Sequence, residues 1–279
     1  MPRHVLIAGC GDLGIRIGLQ MAPAGWRVTG LRRNPHVLPR DIEPLAADLA
    51  QSGSLSAIPS DIDAVVFCPT AQRADETAYR ETYVTGLRNL LQAIAARPRL
   101  TLVFVSSTSV YGQTNGSWVD ENSPCEPKRF NGQVMLEAEK LALASSLATT
   151  IIRFSGIYGP GRERLLDAVQ SGQARCQSEP PYWTNRIHQD DCASMVHHVL
   201  TLDQAKSLYL GTDRLPAPQH RVIAWLAGRL GVAVPERVGG DSANKRLSCK
   251  RMLNSGFKFS YPDFRAGYAA LLDDVAVAE

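Results

Sequence analysis

The fold is decided near the N-terminus by the stretch Val5-Leu6-Ile7-Ala8-Gly9-Cys10-Gly11-Asp12-Leu13-Gly14. Four apolar residues run directly into three glycines spaced Gly-x-Gly-x-x-Gly, and apolar residues at helical spacing follow over 15–22. This order predicts a strand, a tight glycine turn and then a helix, which together form the opening of a βαβ unit.

Each glycine of the turn has a mechanical task. Gly9 permits the tight turn, Gly11 lets the backbone approach a pyrophosphate, and Gly14 lets the helix pack closely on the strand. The first turn of the helix, with Asp12 and Leu13, offers free N–H groups and the positive end of the helix dipole to phosphates. A glycine-rich turn alone is weak evidence. Because this turn lies between a strand and a helix, it predicts a dinucleotide-binding site. The site is formed by Gly9, Gly11, Asp12, Leu13 and Gly14.

Outward from this turn, short apolar runs alternate with longer segments of helical period, which is typical of βαβ units on a parallel sheet. The runs 65–67 and 102–105 are apolar on both faces, as expected where helices cover both sides of the sheet. The sequence therefore predicts an α/β fold with a doubly wound parallel sheet, a Rossmann fold. The sheet domain is predicted to span 1–155 with 187–213 returning to it, and a smaller, discontinuous substrate-binding lobe to span 156–186 and 214–279.

Composition narrows the function classes. The chain has 279 residues, and its 30 Lys and Arg residues against 27 Asp and Glu are not gathered into basic blocks, which argues against nucleic acid as a partner. No uninterrupted apolar stretch resembles a signal peptide or a membrane span. The six cysteines form no Cys-x-x-Cys pair, which is typical of reduced thiols. We expect a cytoplasmic protein acting on a small molecule, with no metal site.

The end of the second predicted strand suggests which dinucleotide is bound. Arg32 and Arg33 stand where NAD-binding proteins usually place an acid for the ribose 2′-hydroxyl. A guanidinium can instead form bidentate, charge-assisted bonds to a 2′-phosphate, so the sequence favours NADP over NAD. The alternative is that both are surface charges. Asp48 is placed to meet the adenine, although an Asp after a strand is often only a helix cap.

Several stretches together resemble the extended short-chain dehydrogenase/reductase superfamily, of the NAD-dependent epimerase/dehydratase kind. The resemblance covers most of the chain. Besides the glycine turn, the stretches that carry it are Asp48-Leu49, 105–112 (VSSTSVYG), 120–124 (DENSP), 153–161 (RFSGIYGPG) and 186–193 (RIHQDDCA).

The resemblance implies that a serine after the fourth Rossmann-type strand orients the substrate oxygen, and counting back from Tyr111 assigns this role to Ser107. The neighbouring Ser106 is assigned to the cofactor side. The alternative is that both hydroxyls only hydrogen-bond the loop.

The family's proton relay is missing from this chain. Members of the family carry a Tyr-x-x-x-Lys pair on the next helix, and the alignment of 135–139 places Asn131 and Met135 at those two positions. Neither side chain can transfer a proton at neutral pH. Tyr111 is the substitute nearest in sequence to Ser107, and we name it with Ser107 as a catalytic candidate; Tyr158 and His188 are further possibilities. The alternative for all three is a packed aromatic residue.

Two functions follow from these observations. The first is an NAD(P)-dependent oxidoreductase or epimerase/dehydratase-like enzyme, with Arg186 and more weakly Arg162 available to an anionic substrate group. The second is a non-catalytic NAD(P)-binding sensor or regulatory protein. The missing Tyr-x-x-x-Lys pair favours the sensor. The retained glycine turn and Ser107 favour the enzyme, which is the function that we prefer.

Overall fold

The computed structural model describes residues 2–97 and 99–278, with side chains described as far as Asp273. The strands are β1 (His4–Ala8), β2 (Arg27–Arg32), β3 (Glu43–Ala46), β4 (Ala64–Phe67), β5 (Thr101–Ser107), β6 (Asn115–Val119), β7 (Ala148–Phe154), β8 (Gly156–Tyr158), β9 (Cys176–Glu179), β10 (Trp183–Thr184), β11 (Arg186–His188), β12 (Leu208–Gly211), β13 (Ala217–Pro218), β14 (Arg237–Gly239) and β15 (Asn244–Leu247). The α-helices are α1 (Asp12–Met21), α2 (Glu76–Tyr79), α3 (Gly86–Ala93), α4 (Phe130–Leu143), α5 (Arg164–Gln170), α6 (Gln189–Thr201), α7 (Gln219–Leu230), α8 (Lys250–Asn254) and α9 (Phe264–Ala278).

Seven strands form the main sheet in the order β12-β7-β5-β4-β1-β2-β3. The pairs β1–β2, β1–β4, β2–β3 and β4–β5 are parallel, and β1 and β4 are buried along their whole length. This is the doubly wound α/β sheet that the sequence predicts, so the predicted fold class is confirmed. The strand order reverses between β1 and β4, and in open sheets of this kind ligands bind at that reversal, outside the carboxyl ends of the strands.

The described chain divides into two compact units. Unit 1 comprises residues 1–111, 125–153 and 192–209, and unit 2 comprises 112–124, 154–191 and 210–279. The segment 112–124, which the sequence analysis placed in the sheet domain, thus groups with unit 2. The predicted domain boundaries, which rest on a different criterion, stay a prediction.

The core of unit 1 lies around the sheet. Every residue of β1 and β4 is buried, as are four of the seven residues of β5, and Phe67 stacks on Phe104 of the neighbouring strand with ring centroids 5.4 Å apart. Burying a large apolar side chain stabilises a fold by about 1.5–3 kcal/mol, so this layer holds the carboxyl ends of the strands in fixed positions.

The described part of unit 2 contains four two-stranded sheets, β10–β13, β11–β8, β14–β9 and β15–β6. Its apolar core joins the inward faces of α5, α7 and α9, with Val169, Val222, Leu226 and Phe264 fully or almost fully buried. Among the described residues, no helix is both long and apolar enough to span a bilayer.

Candidate active site

A cavity of about 420 Å³ opens in unit 1 beside the glycine turn. Five of the residues singled out from the sequence, Gly9, Gly11, Arg32, Arg33 and Asp48, line it. The other lining residues are Leu31, Asn34, Ala47, Leu49, Ala50, Pro69, Thr70, Gln72, Arg73, Ala78, Glu81 and Thr82. Sequence reasoning missed the segment that follows β4, because nothing in its composition marks it as a binding loop.

The three glycines occupy different environments. Gly9 has φ +87°, and a Cβ there would lie 2.5 Å from the backbone nitrogen of Pro69, so the turn admits no side chain. A Cβ at Gly14 would lie 3.0 Å from Ile7 Cγ2 and 3.4 Å from Cys68 Sγ, because α1 packs tightly on the sheet. A Cβ at Gly11 would find no protein atom closer than the Gly9 carbonyl oxygen, at 4.0 Å. Gly11 therefore leaves its space to the cavity, which fits close approach by a ligand.

The helix after the turn begins without a side-chain cap. Gly11 is its N-cap, and the first intrahelical bond runs from the Ile15 N–H to the Gly11 carbonyl, at 2.8 Å. The backbone N–H groups of Asp12, Leu13 and Gly14 precede that bond in the chain. Such groups at a helix N-terminus suit an anion. The cofactor role predicted for Asp12, Leu13 and Gly14 would thus be exerted through backbone atoms.

The two arginines at the end of β2 have different partners. The Arg32 guanidinium donates from Nη1 to the carbonyl oxygen of Cys10, at 3.2 Å, and so lies over the glycine turn. The Arg33 guanidinium meets Gln72 from the loop after β4, whose amide, turned with its oxygen towards Arg33, accepts from Nη1 at 3.0 Å and also from Nη2. Both arginines line the same cavity.

Asp48 organises the loop after β3. Its Oδ1 accepts from the Ala50 N–H at 3.0 Å, and its own N–H donates to Ser54 Oγ at 2.9 Å. The carboxylate therefore stabilises the turn and also lines the cavity, and its contact with the adenine stays a prediction.

The two adjacent serines of β5 point into different surroundings. Ser106 is buried, and its hydroxyl donates to Glu139 Oε1 at 2.5 Å. Ser107 is half-buried, and its Oγ accepts from the Ser109 N–H at 3.1 Å, capping the short 3₁₀ turn Thr108–Val110. That bond uses Ser107 as an acceptor, so its hydroxyl hydrogen can still be donated to another oxygen.

A model of the NAD dependent epimerase/dehydratase family matches residues 5–210. The chain belongs to this family. Over 280 aligned residues it is 28% identical to protein YeeZ of Escherichia coli K12, covering 94% of this chain and 97% of that protein. A solved structure from Methylobacillus flagellatus, named for the same family, has 40% identity and a TM-score of 0.87, with both chains fully covered. A functionally unknown protein from Silicibacter pomeroyi has 27% identity and a TM-score of 0.81, with 98% and 99% coverage. The resemblance inferred from the motifs is confirmed.

Helix α4 carries the two residues that the motif alignment places at the family's relay positions. Asn131 is half-buried and Met135 is buried, on the same face of the helix at i, i+4 spacing. At Gly132 the helix approaches the serine loop so closely that a Cβ would collide with the Ser109 carbonyl oxygen. Asn131 and Met135, which the motif alignment places at the family's relay positions, thus lie on a helix in contact with the serine loop, and neither side chain can transfer a proton at neutral pH.

Beneath the serine loop lies a buried polar network that the sequence analysis did not identify. Arg153 donates to both carboxylate oxygens of Glu139, at 2.9 and 2.6 Å, and its Nη1 donates to the phenol oxygen of Tyr111 at 2.7 Å. Burial by itself lowers the pKa of Arg153, but the bonds to Glu139 outweigh it and raise the pKa above its usual value. Ser106 completes the network through Glu139. The sequence signal that could have indicated this network is Arg153, a charged residue in the otherwise uncharged strand β7.

Tyr111 therefore has a defined partner. Its ring is buried, its hydroxyl accepts from Arg153, and the Arg153 guanidinium also lies 4.9 Å from the ring centroid. The catalytic role assigned to Tyr111 stays a prediction. These contacts support a positioning role next to the serine loop.

The other substitutes considered from the sequence lie within unit 2. Tyr158 stacks on Tyr268 with centroids 4.5 Å apart, and His188 makes a T-shaped contact with Tyr158 and also packs on Tyr261. Burial raises the pKa of Tyr158 above its usual range. Arg186 is also buried, and donates to Thr184 Oγ1 at 3.0 Å. These side chains are parts of an aromatic and polar core.

The thiols beside the glycine turn are buried. Burial raises the pKa of Cys10 to about 12 and raises that of Cys68 as well, so neither is a reactive thiolate at neutral pH. All six cysteines lie in the described part of the chain, and none of them forms a disulfide there. Within the described residues, no group of three or more His, Cys, Asp or Glu side chains is arranged so that it could bind a metal ion.

Proposed function

We propose that this chain binds NAD(P) in the cavity beside Gly9 and Gly11, with NADP preferred, and acts as an oxidoreductase or epimerase/dehydratase-type enzyme. The observation that carries the proposal is the position of Gly11, where the space of a missing side chain opens into the cavity between β1 and the arginines of β2. Family membership supports the same ligand class.

The residues present fit each part of a dinucleotide. The glycine turn and the N-terminus of α1 suit the pyrophosphate, Asp48 suits the adenine side, and Arg32 and Arg33 suit a 2′-phosphate. When bound, the nicotinamide supplies hydride transfer. The protein supplies position, exclusion of water and hydrogen bonds.

On the substrate side, Ser107 is the group that can polarise a reacting oxygen. Its Oγ is fixed by the Ser109 N–H, which leaves the hydroxyl hydrogen to donate to a substrate carbonyl or hydroxyl oxygen. The network of Ser106, Glu139, Arg153 and Tyr111 fixes the strand and loop that carry Ser107. Rigid support of this kind is what keeps a catalytic group in productive geometry.

A second function is favoured by Asn131 and Met135. Without a proton-transferring pair on α4, the same cavity could serve a sensor that binds NAD(P) and changes a partner interaction without turnover. The two proposals share the binding step and differ in turnover, so they can be separated by experiment.

The binding step is tested by thermal unfolding with NADP or NAD. A ligand that binds only the folded state at a hundredfold excess over Kd adds about 2.7 kcal/mol, and Gly11→Val should remove this stabilisation by filling the pyrophosphate approach. Gly53→Val is the matched control, because a Cβ at Gly53 meets no atom within 4 Å and this glycine does not line the cavity. A folded Gly11→Val protein that is stabilised as the wild type is would contradict the assignment.

Turnover separates the enzyme from the sensor. Oxidation or reduction of the nicotinamide is followed by absorbance with a panel of carbonyl and sugar substrates, and epimerisation by product analysis. Turnover by the wild type supports the enzyme. Tight NAD(P) binding without turnover of any member of the panel supports the sensor.

A further inference from the structure

The contact between Arg33 and Gln72 spans the cavity from the end of β2 to the loop after β4, and both side chains line it. Resting on the proposed NAD(P) function, we propose that Gln72 sets the preference between NADP and NAD, by holding the Arg33 guanidinium and releasing it to a 2′-phosphate. Gln72 is thus a specificity-determining residue that no sequence motif identifies.

The three arginines that line the cavity differ in what holds them. Arg32 donates to the backbone carbonyl of Cys10, inside the glycine turn, and Arg73 is paired with the carboxylate of Asp75 at 2.9 Å. Arg33 is held by the neutral amide of Gln72. Of these three partners, an uncharged side chain on an exposed loop is the one most easily replaced by an incoming anion.

Replacement of Gln72 by a 2′-phosphate as the partner of Arg33 is favourable. A phosphate is an anion and can accept two parallel bonds from a guanidinium, whereas Gln72 offers one uncharged amide oxygen, so a 2′-phosphate displaces the amide of Gln72 from Arg33. NAD carries a hydroxyl at that position and leaves the Arg33–Gln72 contact in place. The preference for NADP is therefore the difference between the new bond to Arg33 and the lost bond to Gln72.

Gln72→Glu tests this mechanism with almost no change in shape. The new carboxylate would hold Arg33 as an ion pair and repel a 2′-phosphate. Arg73→Gln is the matched control, because it changes the net charge of the same cavity by the same amount at the next residue without touching Arg33. Calorimetric titrations would use NADP and NAD, together with the fragments 2′,5′-ADP and 5′-AMP, which carry the adenosine half alone.

We expect Gln72→Glu to weaken NADP and 2′,5′-ADP about tenfold or more, while NAD and 5′-AMP change less than about twofold. Gln72→Ala should leave NADP affinity unchanged or improve it, because the competitor is lost. The control Arg73→Gln should weaken NADP less than about threefold.

The inference would be overturned if Gln72→Glu weakened the binding of NADP and of NAD equally. It would also be overturned if Arg73→Gln weakened NADP as much as Gln72→Glu does, because the effect would then come only from the net charge of the cavity. If the wild type binds NAD tightly and the substitution Gln72→Glu changes the affinity for neither dinucleotide, the role of Gln72 is overturned and the proposed function stands. A wild type that binds neither dinucleotide nor fragment overturns both.

Discussion

The guanidinium of Arg153 holds the carboxylate of Glu139 by two parallel hydrogen bonds, and both side chains are almost completely buried. This pair ties strand β7 to helix α4. Through its remaining contacts it also reaches Ser106 at the end of β5 and the hydroxyl of Tyr111. The loop that carries Ser107 therefore rests on a charged pair in the interior of unit 1.

Breaking this pair should destabilise the protein strongly. Glu139→Leu leaves the Arg153 charge buried without its counter-ion, which costs about 3–5 kcal/mol of unfolding free energy. The double change Glu139→Leu with Arg153→Met should recover much of that loss. Glu137→Leu is the control, because Glu137 pairs with Arg80 at 2.7 Å on the surface, where ion pairs contribute about 0–1 kcal/mol. Urea unfolding measures all four proteins. Similar losses at Glu139 and Glu137 would refute the role assigned to the buried pair.

The cofactor preference should respond to Arg32. In Arg32→Asp a carboxylate replaces the guanidinium beside the glycine turn, so it would repel a 2′-phosphate and accept from a ribose hydroxyl. NADP affinity should fall by about ten- to hundredfold, NAD affinity should stay similar or rise, and the salt dependence of NADP binding should flatten. Calorimetry at low and moderate salt measures each effect. An unchanged preference would mean that Arg32 serves only the Cys10 carbonyl.

Catalysis of carbonyl reduction should be slow and should depend on Ser107. General acid catalysis commonly contributes about 10²–10⁴ in rate, and α4 carries Asn131 and Met135 where the family places its relay. Ser107→Ala should lower the remaining kcat while NADP binding is retained. Steady-state rates and binding are measured on the same preparations. Turnover that is fast and indifferent to Ser107→Ala would move the catalytic assignment elsewhere.

Unit 2 should lose stability as the pH rises. Burial raises the pKa of Asp213 to about 8 from its ordinary 3.8; the nearby Arg186 and the Leu215 N–H oppose the shift, and Asp263 and Asp191 reinforce it. The folded protein therefore keeps the proton on Asp213 over a pH range in which the unfolded chain has lost it. The stability associated with that proton is full below pH 3.8 and is lost as the pH rises through about 8.

Asp213→Asn removes this dependence, because an amide remains neutral. The variant should match the wild type in acid and be more stable than it above pH 8. Unfolding followed from pH 3 to pH 9 would show the two curves diverging as the pH rises from 3.8 to about 8, by up to about 1.4 kcal/mol per pH unit, and running parallel above that. A variant that is uniformly less stable at every pH would show that the carboxyl group is needed for packing instead.

The sequence by itself determined the fold class and the glycine turn, because both depend on local patterns. Apolar runs bounded by turns specify strands, helical period specifies α1, and the spacing of Gly9, Gly11 and Gly14 specifies a turn whose geometry follows from the missing side chains. The alignment of 135–139 with the family's motif was enough to predict that Asn131 and Met135 stand at the relay positions. The family resemblance also rests on short contiguous motifs, which is why it could be found before the structure.

The tertiary structure alone decided which side chains meet. Glu139 lies 33 residues from Ser106, and Arg153 lies 42 residues from Tyr111, yet each pair is joined by a hydrogen bond. Gln72 likewise reaches Arg33 from a different loop. Periodicity tells which face of an element is buried, but the partner of a polar side chain depends on how the sheet order places β5 between β4 and β7 and how closely α4 packs on it. Those distances are set by packing of the whole unit, so no local stretch of sequence contains them.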